Sequence, residues 1–235
     1  AGGLSSLELR VNNAASLTSG GAEYAFDAGG DLALGAEIVV GAGDAAAPVE
    51  IFRGQVTALE GVFAEEGAPE LLILAEDALQ KARFARHTRV FESMSLAEIV
   101  REIASAHGLT PQITGLEENF GTQVQMNETD LGFLRRLLAR ADADLQVVGT
   151  ELHVSPRAQV RRGEVELERG PDLKLVRVLA DLAHQVTAAT AKGWDVSAGS
   201  ALDGEGQDNA LGPGDGDKGG ELMSRAFSER AQIGR

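Results

Sequence analysis

Apolar and polar residues alternate at the start of the chain. Leu7, Leu9 and Val11 are interleaved with Ser6, Glu8 and Arg10, the period of a strand with one face covered. Two more strands are predicted over 36–40 and 49–59, bounded by Gly35, the turn Gly41-Ala42-Gly43-Asp44, Pro48 and Gly61. Leu71, Leu72, Ile73 and Leu74 form a short unbroken apolar run and predict a strand buried on both faces. The first third therefore reads as a small antiparallel barrel or sandwich.

Beyond residue 90 the period changes. Ser95 and Glu98 have capping-box spacing, and Leu96, Ile99, Val100, Ile103 and Ala104 continue at helical intervals to His107-Gly108, with Pro111 preventing continuation. A second helix follows the polar run Gln125-Met126-Asn127-Glu128-Thr129-Asp130. There Asn127, Thr129 or Asp130 can cap the free N–H groups, and Glu128 and Asp130 sit at the positive end of the helix dipole. Leu134, Leu137, Leu138 and Ala141 make its buried stripe, with Arg135, Arg136 and Arg140 turned away. Residues 145–148 and 151–154 flank Gly149-Thr150 as a hairpin. In the last third, Val165 with Leu167, 176–179 and 186–191 predict strands leading to Gly193-Trp194-Asp195. Residues 197–220 are rich in Gly, Asp and Ala and predict a long loop or linker, because too little apolar surface is available to offset the entropy of ordering. A short amphipathic helix is expected over 221–231. The fold class expected is β-dominated α+β.

Composition narrows the function. The 36 acidic residues against 21 Lys and Arg give a formal charge of −15, which repels a phosphate backbone, so direct recognition of nucleic acid is not expected. Without cysteine there is no disulfide framework or thiolate metal site, and the chain suits a reducing cytoplasm. No apolar run reaches the length of a membrane span. Aromatic residues make up only 4%, leaving Leu, Val, Ile and Ala to build the core.

Candidate chemistry is sparse. His87, His107, His153 and His184 lack metal-ligand spacing, and scattered histidines are more often structural or surface groups. Asp215-Gly216-Asp217 begins like a calcium loop, but Gly219 and Ala226 stand where ligands are needed. The run 212–218 hints at a phosphate loop, yet Asp217 precedes Lys218 and Gly219 follows it, which removes the glycine and the hydroxyl that such a loop uses. No Gly-x-Ser-x-Gly elbow is present. The carboxylate pairs Glu65-Glu66, Glu117-Glu118 and Asp142 with Asp144 lie in polar stretches and read as solvated turns. These observations predict no catalytic residue, no cofactor and no metal site. One group stands apart: Lys81, Arg83, Arg86 and Arg89 gather four cations with His87, interleaved with Phe84, Val90 and Phe91. They read either as inter-subunit contacts or as a solvated face whose exposed pairs contribute about 0–1 kcal/mol each.

Five segments carry a family resemblance: Phe52-Arg53-Gly54-Gln55-Val56-Thr57-Ala58-Leu59-Glu60, residues 77–91, 95–109 and 125–138, and Lys192-Gly193-Trp194-Asp195. In this order they resemble phage late control gene D proteins and the N-terminal part of valine-glycine repeat proteins. The resemblance implies a baseplate hub of a phage tail or contractile injection system, a homotrimer of tube-type antiparallel β-barrel domains with an α+β insertion. Its implied partners are the inner tube protein and the spike and baseplate proteins, and its implied course is assembly in the bacterial cytoplasm into the particle or virion. On this basis 1–78 is expected to be the first barrel domain lacking its first strands, 79–158 the α+β insertion, 159–196 strands of a second barrel, and 197–235 a linker with a short helix. Family members have strands before and barrel strands or a spike domain after the matching segment, so the chain is expected to be incomplete. A cell-wall (peptidoglycan) binding module is the alternative, with Trp194 and Tyr24 as the polar-tipped aromatics available to it; a wall hydrolase ranks behind it for want of a catalytic constellation.

Overall fold

The computed structural model describes residues 4–16, 19, 22–26, 32–160, 166–171, 173, 175–177, 179, 181–182, 186–207, 218–228 and 231–234. The chain divides into two compact units, Ala1–Gly163 and Glu164–Arg235. Its described residues are mostly strand with three α-helices, a β-dominated α+β fold.

The first unit opens with a four-stranded antiparallel sheet of β1 (Ser6–Asn12), β4 (Glu37–Ala42), β5 (Val49–Val62) and β6 (Glu70–Glu76), in the order β1-β6-β5-β4. The short strands β2 (Ala15–Ser16) and β3 (Ala22–Glu23) pair separately. Alternation in β1 works as expected: Leu9 lies opposite Ile73 and packs with Val11 against buried Val56, Leu71 and Ile73. Strand β6 departs from expectation. It is central in the sheet, yet only one face is covered, so Leu71, Ile73 and Ala75 are buried while Leu74 is exposed. Irregular register at Val40/Gly41 and at Val56/Ala58 adds twist and curls the sheet.

An α+β segment continues from β6. A 3-10 helix, Ala78–Arg83, leads into β7 (Arg86–Phe91), then α1 (Leu96–Ala106), β8 (Thr110–Ile113), β9 (Gln123–Thr129), α2 (Asp130–Arg140) and the hairpin β10 (Ala143–Val148) and β11 (Glu151–Pro156). Helix α1 begins at the expected capping box, where the Ser95 Oγ accepts from Glu98 N and the Glu98 carboxylate accepts from Ser95 N at 2.7 Å. It ends at Gly108, whose φ of 70° is left-handed. Pro111 not only stops the helix but lies in β8, which pairs only with β11, and an edge strand tolerates the missing N–H. Helix α2 buries Leu134, Leu137 and Leu138, as its stripe predicts, together with Leu131 and Phe133. These side chains meet Phe91, Ile99, Ile103 and Leu152 in one core, with Phe91 stacked on Phe133 at a centroid distance of 5.2 Å.

In the second unit, β12 (Ala188–Asp195) pairs antiparallel with β13 (Ser200–Gln207) and parallel with β14 (Ala231–Gly234). Strand β13 corrects the expected 197–220 loop. It has little apolar content, and what orders it is backbone pairing with β12 and the turn held by Asp195, whose carboxylate accepts from the N–H groups of Ser197 and Ala198. Helix α3 (Gly219–Phe227) buries Met223 and starts before and ends ahead of the expected 221–231. The expected 186–191 strand begins at Ala188, and Leu167, Val176 and Leu179 are exposed and lie in no strand. Apolar content misleads there because these residues have no facing layer among the described ones. Val165, His184 and the 208–217 part of the expected loop lie outside the described residues.

Gly54 has a clear steric role. A Cβ at this position would stand 2.3 Å from the carbonyl oxygen of Glu76 and 2.8 Å from the Phe52 ring, so no side chain fits while β5 and the end of β6 stay paired. Gly54→Ala is expected to cost about 2–3 kcal/mol and to lower Tm by roughly 5–10 °C for a domain of this size. Differential scanning calorimetry checks this; an unchanged Tm would show that the two strands are not held this close.

Candidate functional site

The polar run ahead of α2 builds one buried node. Along β7, alternation turns His87, Arg89 and Phe91 inward; along β9 it turns Gln123 and Gln125 inward. Pairing of His87 with Glu128 and of Arg89 with Gln125 leaves one residue between them on β7 and two on β9, a bulge of one extra residue. Asn127 sits in that bulge with φ 47°, a left-handed conformation that Asn tolerates better than most residues. Its N–H donates to Thr88 Oγ1 and its carbonyl accepts from Arg86. The chain then enters α2 with Thr129 as the cap, its hydroxyl accepting from Gly132 N at 3.2 Å. Of the three capping residues the sequence allows, Thr129 takes the role and frees Asp130 for another.

Asp130 is 2% exposed and its carboxylate accepts from four side chains. Gln125 Nε2 donates to Oδ1 at 2.8 Å, His87 Nδ1 to Oδ1 at 3.0 Å and His107 Nε2 to Oδ2 at 2.9 Å, and Arg89 closes an ion pair on Oδ1. An ionised carboxylate only accepts, so the protons sit on Nδ1 of His87 and Nε2 of His107. Four elements meet at this one group: β7 through His87 and Arg89, β9 through Gln125, the end of α1 through His107, and the start of α2 through Asp130 itself. Helix dipoles favour the arrangement, since a negative group lies at the N-terminus of α2 and a donor at the C-terminus of α1. Burial pushes the Asp130 carboxyl up; the bonds from Gln125, His107 and His87 and the Arg89 charge outweigh it and hold the group below its ordinary value.

Two of the four histidines that look scattered in sequence are therefore brought to one carboxylate. His153 pairs with Glu151 at the surface. The four-cation group is divided by the strand. Arg89 is turned inward, bonds Gln125 Oε1 at 3.0 Å and lies over the Phe91 ring; Lys81, Arg83 and Arg86 remain exposed, Arg83 in an ion pair with Glu76. A second buried carboxylate, Asp77, caps the 3-10 helix and accepts from Ser5 N at 2.6 Å and Leu79 N at 2.9 Å. Burial pushes its carboxyl up despite those bonds. It borders a cavity of about 150 Å³ lined also by Glu50, Arg53, Gln146 and Gly149, smaller than the roughly 300–1,000 Å³ typical of small-molecule sites. The Asp130 carboxylate is taken up by four side-chain donors, whereas Asp77 accepts two backbone N–H groups. Among the described residues no three His, Cys, Asp or Glu side chains form a metal-holding group, and no helix is long and apolar enough to cross a membrane.

The Alg8 N-terminal domain family matches residues 19–232. The chain belongs to this family. No curated protein matches it. Among solved structures, the chain is similar to the 43 kDa tail protein of prophage MuSo2 from Shewanella oneidensis, with a TM-score of 0.65 at 15% identity over 98% of this chain and 63% of that one. It is also similar to prophage tail protein gp18 from Listeria monocytogenes EGD-e, with a TM-score of 0.53 at 15% identity over 97% and 61% of the two chains. A tail protein from Neisseria meningitidis MC58 gives 0.53 at 9% identity over 78% and 54%. The fold is one shared with phage tail proteins, and the chain spans less than two thirds of each of these three.

The Asp130 node sets a pH dependence. A carboxyl held low when folded contributes stability that is complete above the unfolded value of about 4 and is lost as pH falls through the lower folded value. Asp77 has the opposite sign: with its folded value raised, stability falls as pH rises from about 4 to that value. Asp130→Asn is expected to cost roughly 2–4 kcal/mol at neutral pH by leaving Arg89 without its counter-charge, and to flatten the loss of stability below pH 4. Urea unfolding from pH 2.5 to 7 checks both; an acid limb unchanged in the variant would remove Asp130 from the account.

Proposed function

We propose that this chain is a structural baseplate hub subunit of a phage tail or contractile injection system, a homotrimer that joins the inner tube to the central spike and lines the channel. The supporting observation is the tail-protein fold over nearly the whole chain, with TM-scores of 0.65 and 0.53 across 98% and 97% of it. The five resembling segments support the same reading. In this reading the curled β1-β6-β5-β4 sheet belongs to a tube-type barrel, and its edges β1 and β4 find partners in neighbouring subunits, as open sheet edges require. Inner tube, spike and baseplate proteins are its partners, and the chain assembles in the bacterial cytoplasm before becoming part of the particle.

The proposed role is not enzymatic. The Asp130 node supports this, since its carboxylate is occupied by four donors from the chain itself and serves to fix β7, β9, α1 and α2. A subunit that must hold shape under the load of a contracting machine gains from a charge-assisted node of this kind.

Multi-angle light scattering of the full-length protein at micromolar concentration is expected to give three times the subunit mass. A monomer at assembly concentrations would remove the hub reading.

A further inference from the structure

No described element of the first unit covers the outer face of the β7–β9 ribbon. While His87, Arg89 and Gln125 turn in, Val90, Val124 and Met126 turn out, with Val90 next to Val124 across the pair. Met126 is 73% exposed, and so is Phe84, at 71%, in the turn that leads into β7. Arg86 shares the outward face of β7 with Val90, and Lys81 is exposed in the 3-10 helix that precedes Phe84. Neither has an acidic partner among the described residues, and the Arg86 guanidinium bonds the Asn127 carbonyl. In a chain of charge −15, an apolar strip accompanied by these cations is a local inversion, and exposed patches of this kind mark contact surfaces.

The same unit carries the complement. At the turn joining β5 to β6, Phe63 is 64% exposed with Tyr24 edge-on to it at 5.8 Å. Glu60, Glu65 and Glu66 lie within three residues of Phe63 in the chain and are exposed. This turn lies at the Val62/Glu70 end of the sheet, whereas the α+β segment leaves from the opposite end at Glu76. Strand β6, seven residues long, spans the roughly 20 Å between those ends, so the two surfaces do not meet within one subunit. Complementary patches at opposite ends make a head-to-tail contact, which closes into a ring or runs on as a filament.

We propose that the outer face of the β7–β9 ribbon docks the β5–β6 turn of a second copy of this chain, Phe63 resting on Val90, Val124 and Met126. Glu65 and Glu66 then face Lys81 and Arg86. The inference rests on the homotrimeric ring reading and names its contact.

This chain contains no cysteine, so each introduced thiol is the only one within it, and the protein without an introduced thiol, treated in parallel, sets the background. In the full-length protein, Phe63→Cys subunits mixed with Met126→Cys subunits and treated with a short bis-maleimide are expected to give cross-linked dimers that neither variant gives alone. Arg86→Glu is expected to weaken association on the order of tenfold or more through like-charge contact, and Glu65→Lys with Glu66→Lys in the same chain to restore it. Unchanged melting of Arg86→Glu separates this from misfolding. A wild-type trimer that gives no mixed cross-link and is indifferent to Arg86→Glu overturns this contact and leaves the hub reading standing. A wild-type monomer overturns both.

Discussion

A single buried carboxylate organises the α+β segment. Asp130 lies where β7, β9, α1 and α2 converge, and without its four donors it would be an isolated charge in an apolar surround, a situation costing several kcal/mol. With them it becomes a directional joint: each donor reaches it from a different direction, and a shift of any one element breaks a charge-assisted bond. The apolar core of Phe91, Ile99, Leu134 and Leu152 supplies the driving force for collapse. That force is non-directional, and the node supplies the orientation it lacks.

The residues around Asp130 all serve the same geometry. Gln125 bonds both Asp130 and the Glu128 carbonyl; Glu128 pairs with Arg136, which also bonds the Val124 carbonyl and lies over the Phe133 ring; Thr129 caps the helix. Asn127 takes the strained bulge position. The five polar residues of the run 125–130 are thus used for shape, which is how a cysteine-free, aromatic-poor chain fixes a β-to-α junction. The proposed role as a tail hub asks for this kind of subunit, rigid within itself and joined to others through its remaining faces.

Local signals in the sequence carried the helices well. The Ser95/Glu98 box, the Leu134, Leu137 and Leu138 stripe and the Gly149 turn depend on neighbours within four residues, and each is found as its spacing implies. Strand β13 was not legible, because Ser200–Gln207 is ordered by backbone bonds to β12 and backbone bonds leave no trace in side-chain pattern. Leu74 misled for a related reason: a run of apolar residues does not reveal whether a second layer covers the sheet. The convergence of His87, His107 and Arg89 on Asp130 joins positions 23 to 43 residues apart, beyond any spacing rule. The sequence offers Asn127, Thr129 and Asp130 there as alternative caps; the structure puts Asn127 in the bulge and Thr129 at the cap. Capping and the helix dipole already account for a carboxylate at that place, so nothing local marked Asp130 as the centre of a long-range node.

Electron cryomicroscopy of intact particles isolated from cells expressing an epitope-tagged chain tests the central claim most directly. The account places three copies around the particle axis between the inner tube and the spike, with the α+β segment resolved as described. Particles that assemble with a full tube and spike but contain no copy of the chain at that junction would contradict it.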